Sequence, residues 1–183
     1  QPWQGEAVLV LRFSPNYLVD HLVRVVTARA TATGHYKLTL WQSTVPAHSW
    51  IAVATLETEI PSVLIAQPAG EQTNRLFLAT GHRLITFSTA ADPNEWAVQQ
   101  HFFFNYLRVT ALALSPTFAA DQTLFAATTQ GVFVSRDGGE RWSQHAGNPQ
   151  ELPIVALLPA RDSQLRAVTL GGEVWFQHTY AND

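Results

Sequence analysis

Three groupings of residues in this chain could do chemistry. The first is "SRDGGERW", residues 135–142, where the Ser135 hydroxyl, the Asp137 carboxylate, two glycines and the Trp142 indole fall within one short stretch. The second sets Tyr106 beside Arg108 and Glu151 near Arg161. A Tyr nucleophile, an acidic partner and an arginine cluster on one face form a set that can cleave glycosidic bonds. The third is the histidines: His21, His35, His48, His82, His101, His145 and His178. None stands in H-x-H or HExxH spacing, so no metal site is expected. Arg12, Arg24, Arg75 and Arg83 share no common phase that would make a carboxylate clamp. GxSxG, P-loop and GxGxxG patterns are missing, and the Gly171–Gly172 pair in "LGGEVW" reads as a tight turn. No catalytic residue and no cofactor is expected.

The elements that must position these groups follow from a repeat. Ser135 and Trp142 are seven apart, as are Ser43 and Trp50 in "STVPAHSW", 92 residues upstream. Between them "STAADPNEW" sets Ser88 and Trp96 eight apart. Ahead of each turn stand the apolar runs "YKLTLWQ", "HRLITFS" and "QGVFVS", and further runs precede those. Rich in β-branched and aromatic residues and bounded by turn residues, they read as strands. "FSPNYLVDHLV" in the first unit answers to "LSPTFAADQTLF" in the third, and no stretch keeps helical periodicity over 12 residues. The "ARATATGHYK" segment reads as a long polar inner loop of the first unit.

Four short antiparallel strands per unit of 40–50 residues make a β-propeller blade. The expected fold is therefore all-β: a β-propeller or propeller segment of about four blades. The units are expected near 7–52, 61–98, 108–146 and 153–183. Residues 1–6, with Trp3, are expected to form an outer strand, closing the fourth blade or ending a preceding one.

Within "SRDGGERW" each residue has a mechanical task in a hairpin. Asp137 can accept hydrogen bonds from backbone N–H groups of its own turn. Gly138 and Gly139 permit positive φ, and Trp142 offers apolar surface to the hairpin or the next blade. The pattern S-x-D-x-G-x-x-W, met by Ser135, Asp137, Gly139 and Trp142, resembles the Asp-box of BNR-repeat propellers. That superfamily includes sialidases, xyloglucan-type glycoside hydrolases, sortilin-type receptors and a photosystem II assembly factor. At the first turn Val45 and Ala47 replace Asp and Gly, and in the second Asp92 is out of register. Ser43, Trp50, Ser88 and Trp96 are thus degenerate turn positions. The resemblance implies a structural staple at the blade periphery, away from any catalytic centre. It also implies an extracytoplasmic or secreted setting.

Composition narrows the partners. With 11 Lys+Arg against 14 Asp+Glu there is no basic stripe for nucleic acid. The apolar runs "VTALALS" and "IVALLPA" fall far short of the roughly 20 residues needed to span a bilayer. No Cys is present, which excludes disulfides and thiolate chemistry. No Met is present either, and the opening "QPWQGEAV" reads as a processed chain or part of a longer one. "HFFFNYL", residues 101–107, crowds three consecutive Phe into a connection between blades. Phe102, Phe103, Phe104 and Tyr106 are the expected partner surface. The expected role is a non-catalytic binding platform for protein partners, or for a second copy. The alternatives are a sialidase- or xyloglucanase-type hydrolase and a glycan-binding module.

Overall fold

The computed structural model describes residues 2–44, 49–60, 63–68, 75–89, 96–102, 107–145, 153–160 and 164–178. Their strands form four meander sheets in which each strand hydrogen-bonds to its neighbour in sequence. The first sheet holds β1 (Ala7–Phe13), β2 (Leu22–Ala30), β3 (Tyr36–Thr44) and β4 (Ile51–Thr58). The second holds β5 (Leu64–Ala66), β6 (Arg75–Thr80), β7 (Arg83–Thr89) and β8 (Trp96–Phe102). The third holds β9 (Val109–Leu114), β10 (Leu124–Thr128), β11 (Gly131–Ser135) and β12 (Ser143–Gln144). The fourth has three strands among the described residues: β13 (Ile154–Pro159), β14 (Gln164–Thr169) and β15 (Val174–His178).

Burial explains the strand sequences. "LFAAT" of β10 is buried at every position, as a central strand covered on both faces must be, and its residues are apolar throughout but for the terminal Thr. In β9, "VTALAL" alternates buried and half-buried positions, the period of two expected of a strand with one covered face. No described helix is long and apolar enough to cross a membrane.

The chain divides into two compact units, Gln1–Gly81 with Thr86–Gln99, and His82–Ile85 with Gln100–Asp183. In the first unit, buried side chains include Val25, Val26, Leu38, Leu40 and Phe77. In the second, a core of Ala111, Phe125, Val132, Val134, Leu157 and Ala167 joins the third and fourth sheets, with Trp175 packed against it.

Two one-turn helices, absent from the periodicity, join first strand to second in the first and third sheets: α1 (Tyr17–Asp20) and α2 (Phe118–Asp121). Four residues are too few to show a helical period. Both are pinned by the same Ser–Asp bonds. The Ser14 hydroxyl donates to Asp20 at 2.5 Å, and the N–H groups of Asn16 and Leu22 donate to Ser14 Oγ and Asp20 Oδ1. The Ser115 hydroxyl donates to Asp121 at 2.6 Å, with the Thr117 and Thr123 N–H groups in the corresponding bonds. His21 and Gln122 each close their helix at φ 50°, an uncommon left-handed conformation for residues with a Cβ. The shared "SP" signature is therefore a structural repeat held by a Ser–Asp pair.

Other expectations need correction. Residues 2–5 form a turn rather than an outer strand: Gly5 takes φ 84° and the Glu6 N–H donates to the Trp3 carbonyl at 3.0 Å. Strands β4 and β8 run to Thr58 and Phe102, past the unit ends expected at 52 and 98, because the last strand of each sheet begins only after the Ser–Trp turn. Half of "ARATATGHYK" is strand, at its two ends. Arg29 pairs with Lys37 and Ala30 with Tyr36, leaving a turn at 31–35 closed by the Thr31 N–H on the His35 carbonyl.

Candidate functional site at the strand-connecting tips

The 135–142 turn is a closed hydrogen-bond system. Buried Ser135 donates to Asp137 Oδ1 at 2.8 Å and accepts from the Gly139 N–H at 2.9 Å. The same carboxylate oxygen accepts from the N–H groups of Glu140 at 3.1 Å and Arg141 at 2.9 Å. Gly138 and Gly139 take φ 76° and 99°, values open to glycine at little cost. The Gly138 N–H reaches the Gln122 carbonyl at 3.0 Å, tying this turn to the end of α2. Trp142 donates its indole N–H to the Gly139 carbonyl at 3.0 Å, folding back on its own turn. Beside it lies an open recess of about 260 Å³ walled by Arg136, Asp137, Arg141 and Trp142.

Desolvation pushes the Asp137 carboxyl up. The hydrogen bonds from Arg141, Ser135 and Glu140 and the charge of Arg141 outweigh it and hold the carboxyl below its ordinary value. A depressed folded-state pKa contributes stability that is present above the unfolded value, near 4, and lost as pH falls through the folded one. Asp137→Ala is expected to cost about 0.5–2 kcal/mol at neutral pH, as loss of a helix-cap carboxylate does. Urea unfolding at several pH values should show that gap shrinking below about pH 4. A gap that stays constant down to acid pH would refute the role of the charge.

The first Ser–Trp turn uses the same residue types differently. Ser43 donates to the Ser49 carbonyl at 2.7 Å, so a backbone oxygen takes the place Asp137 has in the third sheet. Trp50 stands edge-on to Trp3 at 4.6 Å, and Trp3 also meets Trp41 at 5.8 Å. Ser88 is half-buried at the end of β7. Trp96 opens β8, and the Arg24 guanidinium lies over its ring at 5.9 Å.

Arg24 is 1% exposed in the middle of the first sheet. Its Nη1 donates to Gln67 Oε1 at 2.5 Å, while Nε and Nη2 have no partner among the described residues. Burial pushes its pKa down, and the charge of Asp20 only partly offsets this. Exposed Arg12 is its cross-strand neighbour on β1. The two arginines that share no phase in the sequence are thus side by side in the sheet.

The tips of α1 and α2 supply a contrast between two copies of one scaffold. Their equivalent Ser–Asp pins make Leu18 and Val19 the counterparts of Ala119 and Ala120. Leu18 is 90% exposed and Val19 85%. The second copy shows that this turn folds with alanines there, so the larger apolar side chains are not needed to hold it. Phe13, 57% exposed, stacks edge-on against Tyr17 at 4.9 Å, and Tyr17 against His21 at 5.7 Å. Together these residues form an exposed apolar and aromatic tip. The sequence carries its one signal, Leu-Val where the matching repeat has Ala-Ala.

The Phe102 side chain and Phe103, Phe104 and Tyr106, the expected partner surface, lie outside the described residues, as do Glu151 and Arg161. Arg108 is exposed. Among the described residues no three His, Cys, Asp or Glu side chains gather in a way that could hold a metal ion. His145, unremarkable in sequence, is buried between Phe125 and Trp175, at 6.3 and 6.2 Å from their rings.

No family model matches the chain, and no curated protein matches it. Among solved structures, the β-propeller domain of Cps50 (Swd1) from Myceliophteria thermophila is similar, with a TM-score of 0.62 at 12% identity over 93% of this chain and 54% of its own. This fold is a β-propeller. The extracellular domain of the one-component system BT4673 from B. thetaiotaomicron gives a TM-score of 0.59, also at 12% identity, over 93% of this chain and 21% of that one. The present propeller segment, of about four blades of antiparallel strands, spans about half of the first neighbour and about a fifth of the second.

Proposed function

We propose that the chain is an Asp-box-type propeller segment acting as a non-catalytic platform for a protein partner. The partner docks on the tip formed by Phe13, Tyr17, Leu18 and Val19. One observation carries this reading: Leu18 and Val19 are almost fully exposed on a turn whose structural twin has alanines. Exposed apolar side chains that a fold does not require are the usual mark of a contact surface. The 135–142 turn serves as a staple in this reading, since its own backbone engages Asp137. The four sheets are the blades. A protein partner suits an apolar tip better than a glycan does, because sugars are held by hydrogen-bonding groups around an aromatic platform.

The twin turn is also the control. A photo-cross-linking residue at Val19, in the protein expressed in its native host, is expected to capture a discrete protein adduct. The same residue at Ala120 should give none. Leu18→Ala should abolish the adduct and leave the melting temperature unchanged, since surface substitutions of this kind usually stay within about 0.5 kcal/mol. Equal labelling at both positions would refute the platform, and sugar release from a glycan panel by the intact protein would favour the hydrolase.

A further inference from the structure

We infer that Arg24 of the first sheet binds a small organic acid, one with a hydroxyl or ammonium donor on the carbon next to its carboxylate. This goes beyond the platform reading and does not depend on it.

A guanidinium holds five N–H donors in one rigid plane. Nε and Nη2 form the edge whose two N–H bonds run parallel and match the two oxygens of a carboxylate. In Arg24 that edge is the part left over. Nη1 donates to Gln67 Oε1, and the guanidinium carbon lies 5.9 Å from the centre of the Trp96 ring. Nε and Nη2 have no partner among the described residues, and the residue is 1% exposed. A buried donor left unpaired carries the full cost of its desolvation, and the cost is greater on a charged group. Two fixed contacts thus aim an unpartnered bidentate edge.

The neighbouring strands point to the same ligand. Arg24 stands directly opposite Arg12 on β1 and Gln42 on β3, so the three side chains share one face of the sheet. Like charges set opposite each other on adjacent strands repel. Asp20, whose charge acts on Arg24, already has its two oxygens on the Ser14 hydroxyl and the Leu22 N–H. An anion beside Arg24 and Arg12 replaces that repulsion with attraction on both sides. On the other flank, Gln42 Oε1 is buried and has no partner among the described residues either. As an acceptor it cannot meet a carboxylate oxygen. A donor on the next carbon of the ligand can meet it, because opposite residues on adjacent strands have Cβ atoms only about 5 Å apart. A 2-hydroxy or 2-amino acid therefore satisfies Nε, Nη2 and Oε1 together, which chloride or an unsubstituted acid does not.

Gln67 follows the end of β5, Trp96 opens β8, and both are half-buried. The side chains that enclose Arg24 thus stand at strand ends, at the margin of the core. Apolar replacements of buried charges are often neutral or stabilising. Packing alone therefore does not call for an arginine here, whereas an anionic ligand does.

Titration of the 183-residue chain with lactate, and with propionate as the acid lacking the hydroxyl, tests this at constant ionic strength held with chloride. Lactate is expected to raise the melting temperature saturably and to move the Arg24 Nε–H proton resonance downfield. Propionate should bind about tenfold more weakly. Arg24→Met should remove both responses. Arg12→Gln should weaken lactate about tenfold, and Gln42→Leu should reduce lactate to the level of propionate. These two substitutions fall on an exposed and a half-buried side chain, so they test the site even if Arg24→Met fails to fold. No saturable response to either acid overturns the inference. So does a lactate response that survives in Arg24→Met, or one that neither Arg12→Gln nor Gln42→Leu alters. Equal binding of the two acids by the unaltered chain overturns the donor beside the carboxylate.

Discussion

Alanine in place of Phe125 should cost the second unit about 3–5 kcal/mol, the usual loss for removing a fully buried phenyl ring from a core. Such a loss removes a large part of the roughly 5–15 kcal/mol that holds a domain folded. The ring is 1% exposed and lies in the apolar core between the third and fourth sheets. On its own sheet Phe125 is flanked by Ala113 on β9 and Val134 on β11, neither long enough to reach into the vacated space. His145 sits between it and Trp175, so truncation also loosens the imidazole that clasps the fourth sheet. Urea unfolding read by near-ultraviolet circular dichroism would measure the effect. A loss under about 1 kcal/mol would mean that the two sheets are not held by this core.

That core was partly legible in the sequence. The run "TLFAATTQGVFVS" marks two strands, and the recurring Ser-to-Trp interval marks their turns. Period-two patterns and turn residues are local, so they survive in the sequence. Facing partners are another matter. Nothing near His145 announces that it lies between two rings from different sheets. Trp3 shows the same limit. Its neighbours read as an outer strand, but Gly5 at φ 84° turns the chain back, and the indole packs on Trp41 and Trp50 instead.

The candidate tip shows what a repeat can and cannot reveal. "FSPNYLVDHLV" and "LSPTFAADQTLF" align by eye, yet "YLVDHLV" reads as one apolar run continuing into a strand. Only the one-turn helix, pinned by Ser14 and Asp20, lifts Leu18 and Val19 out of that run and into solvent. Once the pins are known, the Ala119–Ala120 twin makes the departure plain. The first and third turns divide in the same way. In "SRDGGERW" the backbone engages the acidic residue that the motif displays, so there the motif discloses its bonding. At the first turn Ser43 finds a carbonyl instead, a contact that no residue type signals.

Arg24 is the residue whose environment the sequence conceals most, and it gives the second large effect. In "LVRVVTA" nothing marks the arginine between valines as enclosed. Here both faces of β2 are covered over Val23–Ala28, and the guanidinium is enclosed with one hydrogen bond to Gln67 and its face over Trp96. Gln67→Leu removes the acceptor and strands a buried charge, and should cost about 1.5–3 kcal/mol, the worth of a hydrogen bond to a charged group. Arg24→Met removes the charge and keeps an apolar stem of similar reach. Buried charges replaced by well-packed apolar groups are often neutral or stabilising by about 1–4 kcal/mol, so this variant should unfold at equal or higher urea than the wild type. In the Arg24→Met background, Gln67→Leu should then cost little. The opposite signs separate the desolvation of the charge from the bond that compensates it, as a double-mutant cycle requires. If Arg24→Met is instead destabilising by more than about 2 kcal/mol, the arginine stabilises the first unit on balance. Gln67 and Trp96 would then compensate a charge that neither of them neutralises.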